Sequence, residues 1–339
     1  MIGSRFQLHR AAKWTVVALL FLLPPVATRL GGDYLVSLAG RILIYGLAAA
    51  GLDLIVGYGG MVSLGHAAFV GIGAYAVGIF SYAAAESTTV LSWPLTIPGT
   101  ENALFTLPLA MGLAALFGLV TGIICLRTRG MYFIMITLAF AQMLFYFFVS
   151  LEIFGGSDGI VLINRNRLPG IDQESDTTLY YVCLVILLLF LFLGGRVVRS
   201  RFGRVIIAGR ENEIRAQALG FAIHRYRLVC YVIAAATAGL SGGLLANHTG
   251  YVSPDLMHWS RSGEILVMVL LGGMGTLVGP VIGAAALLLM EEFLAMFTEH
   301  WMVILGPVLL AVVLFGNQGL YGLWKGITEK DERGDTDDT

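Results

Sequence analysis

Apolar runs long enough to cross a bilayer recur along almost the whole of this chain, and nothing else in the sequence limits its fold so tightly. A membrane-crossing helix needs ~20 mostly apolar residues. About ten such runs can be laid on the sequence, at 14–31, 34–56, 61–84, 103–126, 130–150, 178–195, 228–246, 263–279, 281–298 and 300–317. In hydrocarbon every backbone polar group has to be satisfied within the protein, so runs of this kind form helices. Composition points the same way. The chain is 57% hydrophobic and 13% charged, where soluble domains carry roughly 25% charged residues. The expected fold is all-α, a polytopic membrane helix bundle with about ten transmembrane spans. The expected division is a cytoplasmic N-terminus at 1–13, a transmembrane domain at 14–328 and an acidic tail at 329–339. That tail is too polar to pack and is expected to be disordered. The basic start (Arg5, Arg10, Lys13) followed by apolar residues from Trp14 has the outline of a signal peptide. No small-residue cleavage site leads into a polar mature domain, so a retained first span is expected.

Between the sixth and seventh runs the chain changes character. From Arg196 to Arg227 there are eight arginines and two acids, Glu211 and Glu213. Most other links are short and weakly charged. Lys and Arg in short loops favour the cytoplasm. Under a ten-span count the basic N-terminus, the Arg127/Arg129 turn, the Arg196–Arg227 loop (196–227) and Lys325 with Lys330 all fall on one side. The 151–177 loop, with two basic residues against five acidic, falls on the other. Both termini are therefore expected in the cytoplasm, and the arginine-rich segment is expected to offer a docking surface to a cytosolic partner.

Glycine makes up 43 of 339 residues, nearly twice the usual ~7%, and two glycine-rich segments stand out. In the first, Gly57–Tyr75, the residues Ser63, Ala67 and Gly71 recur at four-residue spacing. Such a stripe lets a neighbouring helix approach closely. It equally fits a broken helix lining a polar path, with Tyr58, Ser63 and His66 facing it, since a His inside a span is costly unless it meets a cavity or partner. In the second, Gly272–Gly283, the residues Gly275, Gly279 and Gly283 form a similar stripe, with Pro280 interrupting the helix. Interrupted apolar segments in both halves of a chain are where transporters place their path; tight packing and a turn account for the second segment as well. Gly71, Gly272, Gly275 and Gly279 are thus candidates for path or packing. Arg261 and Glu264 can pair at a helix start near the outer boundary, and Arg41 can snorkel. For these and Asp53, boundary anchoring is the favoured reading. Gln142 is expected to bond a neighbouring helix.

Other classes are excluded or weakened. The three lysines, Lys13, Lys325 and Lys330, lie outside any G-x-x-x-x-G-K-[ST] context, so no P-loop is present and any ATP hydrolysis would have to occur on another chain. Gly155-Gly156-Ser157-Asp158-Gly159 matches a nucleophile-elbow pattern but leaves a membrane span rather than a strand; it reads as a turn, and no catalytic residue is expected. Cys125, Cys183 and Cys230 all sit in apolar runs and read as small core residues, not as metal ligands. Asn247-His248-Thr249 is a chance-level glycosylation match. A net charge of −1 leaves no footprint for nucleic acid.

Several segments, in order, resemble the LivM-type permease subunits of branched-chain amino-acid ABC importers. They are Gly57-Tyr58-Gly59-Gly60-Met61-Val62-Ser63-Leu64-Gly65-His66-Ala67-Ala68-Phe69; Arg129–Phe133 with Thr137–Phe140; Gly155–Gly159; Ser200–Arg204 through Arg210–Glu213 to Ala218-Leu219-Gly220; Tyr251–Asp255; and Leu271–Pro280. The resemblance covers about residues 40–300. It implies an inner-membrane subunit with no cofactor of its own. Its partners would be a second homologous permease subunit, two cytosolic ABC ATPase subunits carrying ATP and Mg, a periplasmic solute-binding protein and membrane lipid. It also implies a coupling role for Arg204–Leu219, with Arg204, Arg210, Glu211, Asn212, Glu213, Ile214, Ala218 and Leu219 meeting an ATPase. The family includes urea and short-amide importers, which stand as the alternative solutes. An ion-coupled secondary transporter is the alternative machine, for which only Asp53 and Glu264 offer carboxylates near the membrane.

Overall fold

The structure, a computed structural model, describes residues 19–29, 32–86, 89–91, 97–167, 175–297 and scattered positions between 300 and 322. The segments 1–13 and 329–339 lie outside the described residues, as do most of the run at 300–317 and part of the run at 14–31.

The helices, in chain order, are α1 (Leu19–Arg29), α2 (Asp33–Asp53), α3 (His66–Ala85), α4 (Ala103–Cys125), α5 (Met131–Ser150), α6 (Asp176–Arg199), α7 (Arg201–Glu211), α8 (Glu213–Ala218), α9 (Ile223–Thr249), α10 (Trp259–Gly272) and α11 (Gly279–Ala295). A π-turn, Leu54–Tyr58, prolongs α2. Two short antiparallel pairings complete the description: β1 (Thr89–Leu91) with β2 (Ile97–Pro98), and β3 (Ile160–Val161) with β4 (Tyr251–Val252). The architecture is an all-α bundle. Among the described residues six helices are long and apolar enough to cross a membrane, namely α2 with its π-turn, α3, α4, α5, α6 and α9. The sequence-based count of about ten is larger because it also took in the shorter α1, α10 and α11 and the run at 300–317.

The centre of the bundle is α9, against which α3 and α4 pack most extensively. Small residues make this possible. A Cβ added to Gly73 would fall on the Gly239 carbonyl, one on Gly242 would fall on the Val70 carbonyl, and one on Gly118 would meet the Ala235 methyl. Without a large hydrophobic gain from packing in lipid, close backbone approach supplies dispersion contacts that hold such helices together. The aromatic rings of Phe69, Phe117, Phe133 and Tyr231 fill the space beside this seam edge to face.

The links sort to two ends. At one end lie the 59–65 break, the 126–130 turn, α7 with α8 and the 273–278 link, held together by Arg129 to Glu213 at 2.7 Å and by Arg210 bonding Gly57 O. At the other lie β3 with β4, β1 with β2 and the bridge between Asn102 and Arg167. The first end gathers Arg129 and the 196–227 arginines, as the loop-charge pattern requires.

The glycine stripes come out differently from the sequence expectation. Ser63 precedes α3, so only Ala67 and Gly71 share its helix. Gly275 lies in the link between α10 and α11 at φ +78°, and Gly279 is the first residue of α11. Gly275, Gly279 and Gly283 therefore do not share one helical face. Instead Gly283 packs on Met268 and Gly272, and Gly272 on Gly279 and Pro280, closing α10 onto α11. Pro280 starts a helix rather than interrupting one; its missing N–H costs nothing in a first turn. Four-residue spacing persists across a break in the helix, so periodicity alone does not reveal the break.

Candidate functional site

Two features carry the residues singled out from the sequence, and they touch. The first is a hook formed by α7 and α8. Ser200 caps α7 by accepting from Gly203 N, and its own hydroxyl donates to Val197 O at 2.6 Å. Gly203, Val205, Ile206 and Gly209 face the bundle. The chain then turns at Asn212, which is extended and caps α8 by accepting from Arg215 N at 2.9 Å. This is a local turn device of the Asx type. Glu213, in the first turn of α8, accepts from Arg129 at 2.7 Å, Arg227 at 2.9 Å and Gln217 at 3.0 Å. Arg227 also reaches Gly209 O at 3.3 Å. Ala216 is buried against Val205 and Ile223.

This framework leaves an apolar pair on the outside. Ile214 is 81% and Leu219 73% exposed, with Ala218, Arg204, Arg210, Glu211 and Asn212 also exposed around them. Glu213 differs from its seven companions. It was expected to face a partner, but its carboxylate is spent inside the chain, where it ties α8 to the 126–130 turn and to α9.

The second feature is the meeting of the two glycine-rich breaks. After the π-turn the backbone leaves the helix through Gly60 at φ +67°, a conformation that a side chain would strain. Asp53, fully buried at the end of α2, accepts from Gly275 N at 2.8 Å. The Arg210 guanidinium donates to Gly57 O, and its side-chain carbons lie against Gly60. Gly57 and Gly275, one from each half of the chain, come together because Gly57 carries no side chain; a Cβ there would fall on Gly275 N and on the Asp53 carboxylate. Tyr58 packs with Leu54, Ile206 and Cys230 beside the root of α7. One arginine of the hook thus holds the first break, and Asp53 ties the end of α2 to the second.

The rest of the first break is stitched into the bundle through hydroxyls. Leu64 N donates to Thr137 at 3.3 Å, Gly65 N to Ser63 at 3.2 Å and Ala67 N to Ser262 at 2.9 Å. Non-helical backbone at membrane depth is tolerated only where protein satisfies it in this way. His66 is fully buried, with Nε2 at 3.1 Å from Ala48 O and its ring edge-on to Phe69. Gly71 receives the Met257 side chain. The sequence did not point to Ser262, whose only signal is a hydroxyl inside an apolar run, and Thr137 entered only as part of the family resemblance.

The remaining motifs resolve simply. Two tight turns, Glu152–Phe154 and Gly156–Asp158, follow α5, with Gly155, Gly156 and Gly159 at positive φ, and Ser157 has no strand before it. Asn247 is 2% exposed; it accepts from Asn166 N and donates to Gly243 O, so it is unavailable as a glycan acceptor. Gln142 Nε2 is buried without a partner among the described residues, contrary to the expectation of an interhelical bond. The three cysteines are free and buried. Among the described residues no group of three or more His, Cys, Asp or Glu is placed to hold a metal ion.

Comparison with known proteins places the chain in a family. The profile of the family "Branched-chain amino acid transport system / permease component" matches residues 34–313. The high-affinity branched-chain amino acid transport system permease protein LivM of Escherichia coli is 30% identical over 94% of this chain and 78% of its own length. LivM of Salmonella typhimurium is 29% identical over the same shares. A probable branched-chain amino acid transport permease protein LivM of Methanocaldococcus jannaschii is 25% identical over 80% of this chain and 86% of its own length. No solved structure matches at a significant level. A bundle of apolar helices, matched over most of its length by permeases of one kind, has one reading: the chain belongs to the branched-chain amino acid transport permease family and is a multi-pass permease subunit of an ABC importer.

Proposed function

We propose that this subunit moves branched-chain amino acids across the inner membrane and takes its energy from an ATPase docked on the α7–α8 hook. The observation that carries the reading is the hook itself. It is a capped, ion-paired framework outside the long apolar helices that presents Ile214 and Leu219 to the exterior while sending Arg210 inward to Gly57. A segment meant to lie on lipid has no use for the exposed Glu211, whereas a protein cleft can receive it beside the arginines. Tipping the hook would pull on the first break through Arg210 and on the second through Asp53 and Gly275. The hook side is cytoplasmic in this reading, with both termini inside and about ten spans in total. The domain limits are 14–328 for the permease and 196–227 for the coupling loop. A second related permease, two ATPase subunits holding ATP and Mg, and a periplasmic binding protein complete the machine.

Reconstitution tests it. The chain with its partner permease and ATPases in proteoliposomes is expected to take up leucine only with internal ATP and loaded binding protein. Uptake driven by a proton or sodium gradient without ATP would refute it. Uptake of urea or a short amide in place of leucine would refute the solute.

A further inference from the structure

Four charged side chains from three helices cluster partway down the bundle. Arg41 of α2 lies 3.9 Å from Glu291 of α11, and Arg261 of α10 lies 2.8 Å from Glu264. Tyr45 joins them: its ring lies beneath the Arg41 guanidinium at 5.8 Å, and its hydroxyl is within electrostatic reach of all four charges. Glu292 follows, bonded to Tyr34. The four side chains are between 29% and 43% exposed.

Their depth is the informative point. The span Tyr34–Tyr58 is 25 residues long, or about 37 Å at 1.5 Å per residue, against a hydrocarbon layer of ~30 Å. Its midpoint is Gly46, so Arg41 stands only about 7 Å above it. Sliding the layer until Arg41 reached its edge would draw the Arg210 guanidinium, bonded to Gly57 O, into hydrocarbon. The start of α10 is anchored at the same level. Ser262 bonds Ala67 N at the start of α3, beside His66, which bonds Ala48 O near the middle of α2. Arg261 and Glu264 pair on one helical face as expected, and on this reckoning the start of α10 stands inside the layer rather than at its outer boundary.

Charged groups at this depth face protein or a water-filled space, not lipid. The structure leaves open space beside the cluster: a Cβ on Gly263, about 100° around α10 from Glu264 and about 160° from Arg261, would meet nothing within 4 Å. On the same face, one and two turns toward the hook end, lie the half-buried apolar residues Val267 and Leu270.

We propose that the α2–α10–α11 face borders the solute path, and that Arg41, Arg261, Glu264 and Glu291 form a hydrated station for the ammonium and carboxylate of an α-amino acid. A zwitterion carries no net charge, so it can enter this mixed-sign cluster, exchange one internal ion pair for two external ones and leave without stranding a charge. A single ion would have to break a pair and leave its counter-charge behind. Val267 and Leu270 would lie under a branched apolar side chain. The proposal rests on the importer reading, but its location can be tested separately.

The whole importer is reconstituted with Gly263→Cys, the three native cysteines being buried. The water-soluble cation MTSET is expected to modify it, and leucine-loaded binding protein with trapped ATPases is expected to abolish the labelling. Modification only by a lipid-soluble maleimide would place the face against lipid. Modification by neither reagent would place it in a dry subunit contact. Either result overturns the proposal, whatever the solute. For the station itself, Glu264→Gln is expected to lose saturable leucine uptake and Glu264→Asp to regain it. Unchanged leucine uptake in Glu264→Gln refutes the station even if the path labelling holds. A wild type that imports an amide and not leucine refutes the solute reading instead.

Discussion

Truncating Ile214 to alanine isolates the contact that the hook is built to offer. The side chain is 81% exposed, so the substitution leaves the chain's own packing nearly untouched; exposed substitutions of this kind usually shift stability by less than ~0.5 kcal/mol. On docking, the three carbons removed would each have contributed ~0.8 kcal/mol. Scaled by the exposed share, the loss is about 2 kcal/mol, or roughly 30-fold in the dissociation constant at 1.4 kcal/mol per factor of ten. Leu219→Ala, starting from 73% exposure, should lose slightly less. The assay is binding of the purified ATPase subunit to the permease pair in nanodiscs, followed by titration, with thermal stability of the permease measured alongside. Weaker binding at unchanged stability is the expected result. If both variants bind the ATPase as tightly as wild type, the apolar pair is not the contact and the energetic argument for the hook fails.

Cysteines placed at Ser200 and Gln217 should resist an impermeant thiol reagent added outside whole cells and react once the membrane is opened; labelling from outside would invert the proposed orientation. Arg210→Met should cost about 1 kcal/mol of stability, because the lost bond is charge-assisted but partly open to solvent. It should let the ATPase bind yet blunt the stimulation of ATP hydrolysis by loaded binding protein, and full stimulation would mean that the link from Arg210 to Gly57 transmits nothing.

The helical bundle was legible because hydrocarbon leaves the backbone so little choice: an apolar run of twenty residues has one solution. The joining of the two breaks was not. Asp53 meets Gly275 across 222 residues and Arg210 meets Gly57 across 153, and no local pattern encodes pairings of that range. Glu213 shows the same limit from another side. Its charge and position suited a partner, but Arg129 and Arg227 approach it only once the bundle has formed. The asparagine that turns the hook was readable in principle, since Asn212 begins a run of helix formers, the usual place for a capping residue. The apolar outer pair needed the structure, because Ile206 and Ile214 look alike in sequence and only one of them is buried.

Where α3, α4 and α9 meet, main chain lies on main chain, as at Gly73 with Gly239 and Gly242 with Val70. Sliding of packed helices depends on side chains that can change rotamer and take up the displacement. Here there are none to change, so a small slip drives carbonyl into Cα. These three helices are therefore a stator. Any shape change that carries a solute has to pass around them, through parts of the chain whose backbone is already free of helical bonds, at 59–65 and 273–278. An alanine at Gly73 or Gly242 would pry the stator apart, while the same change at Gly263 would go unnoticed by the fold.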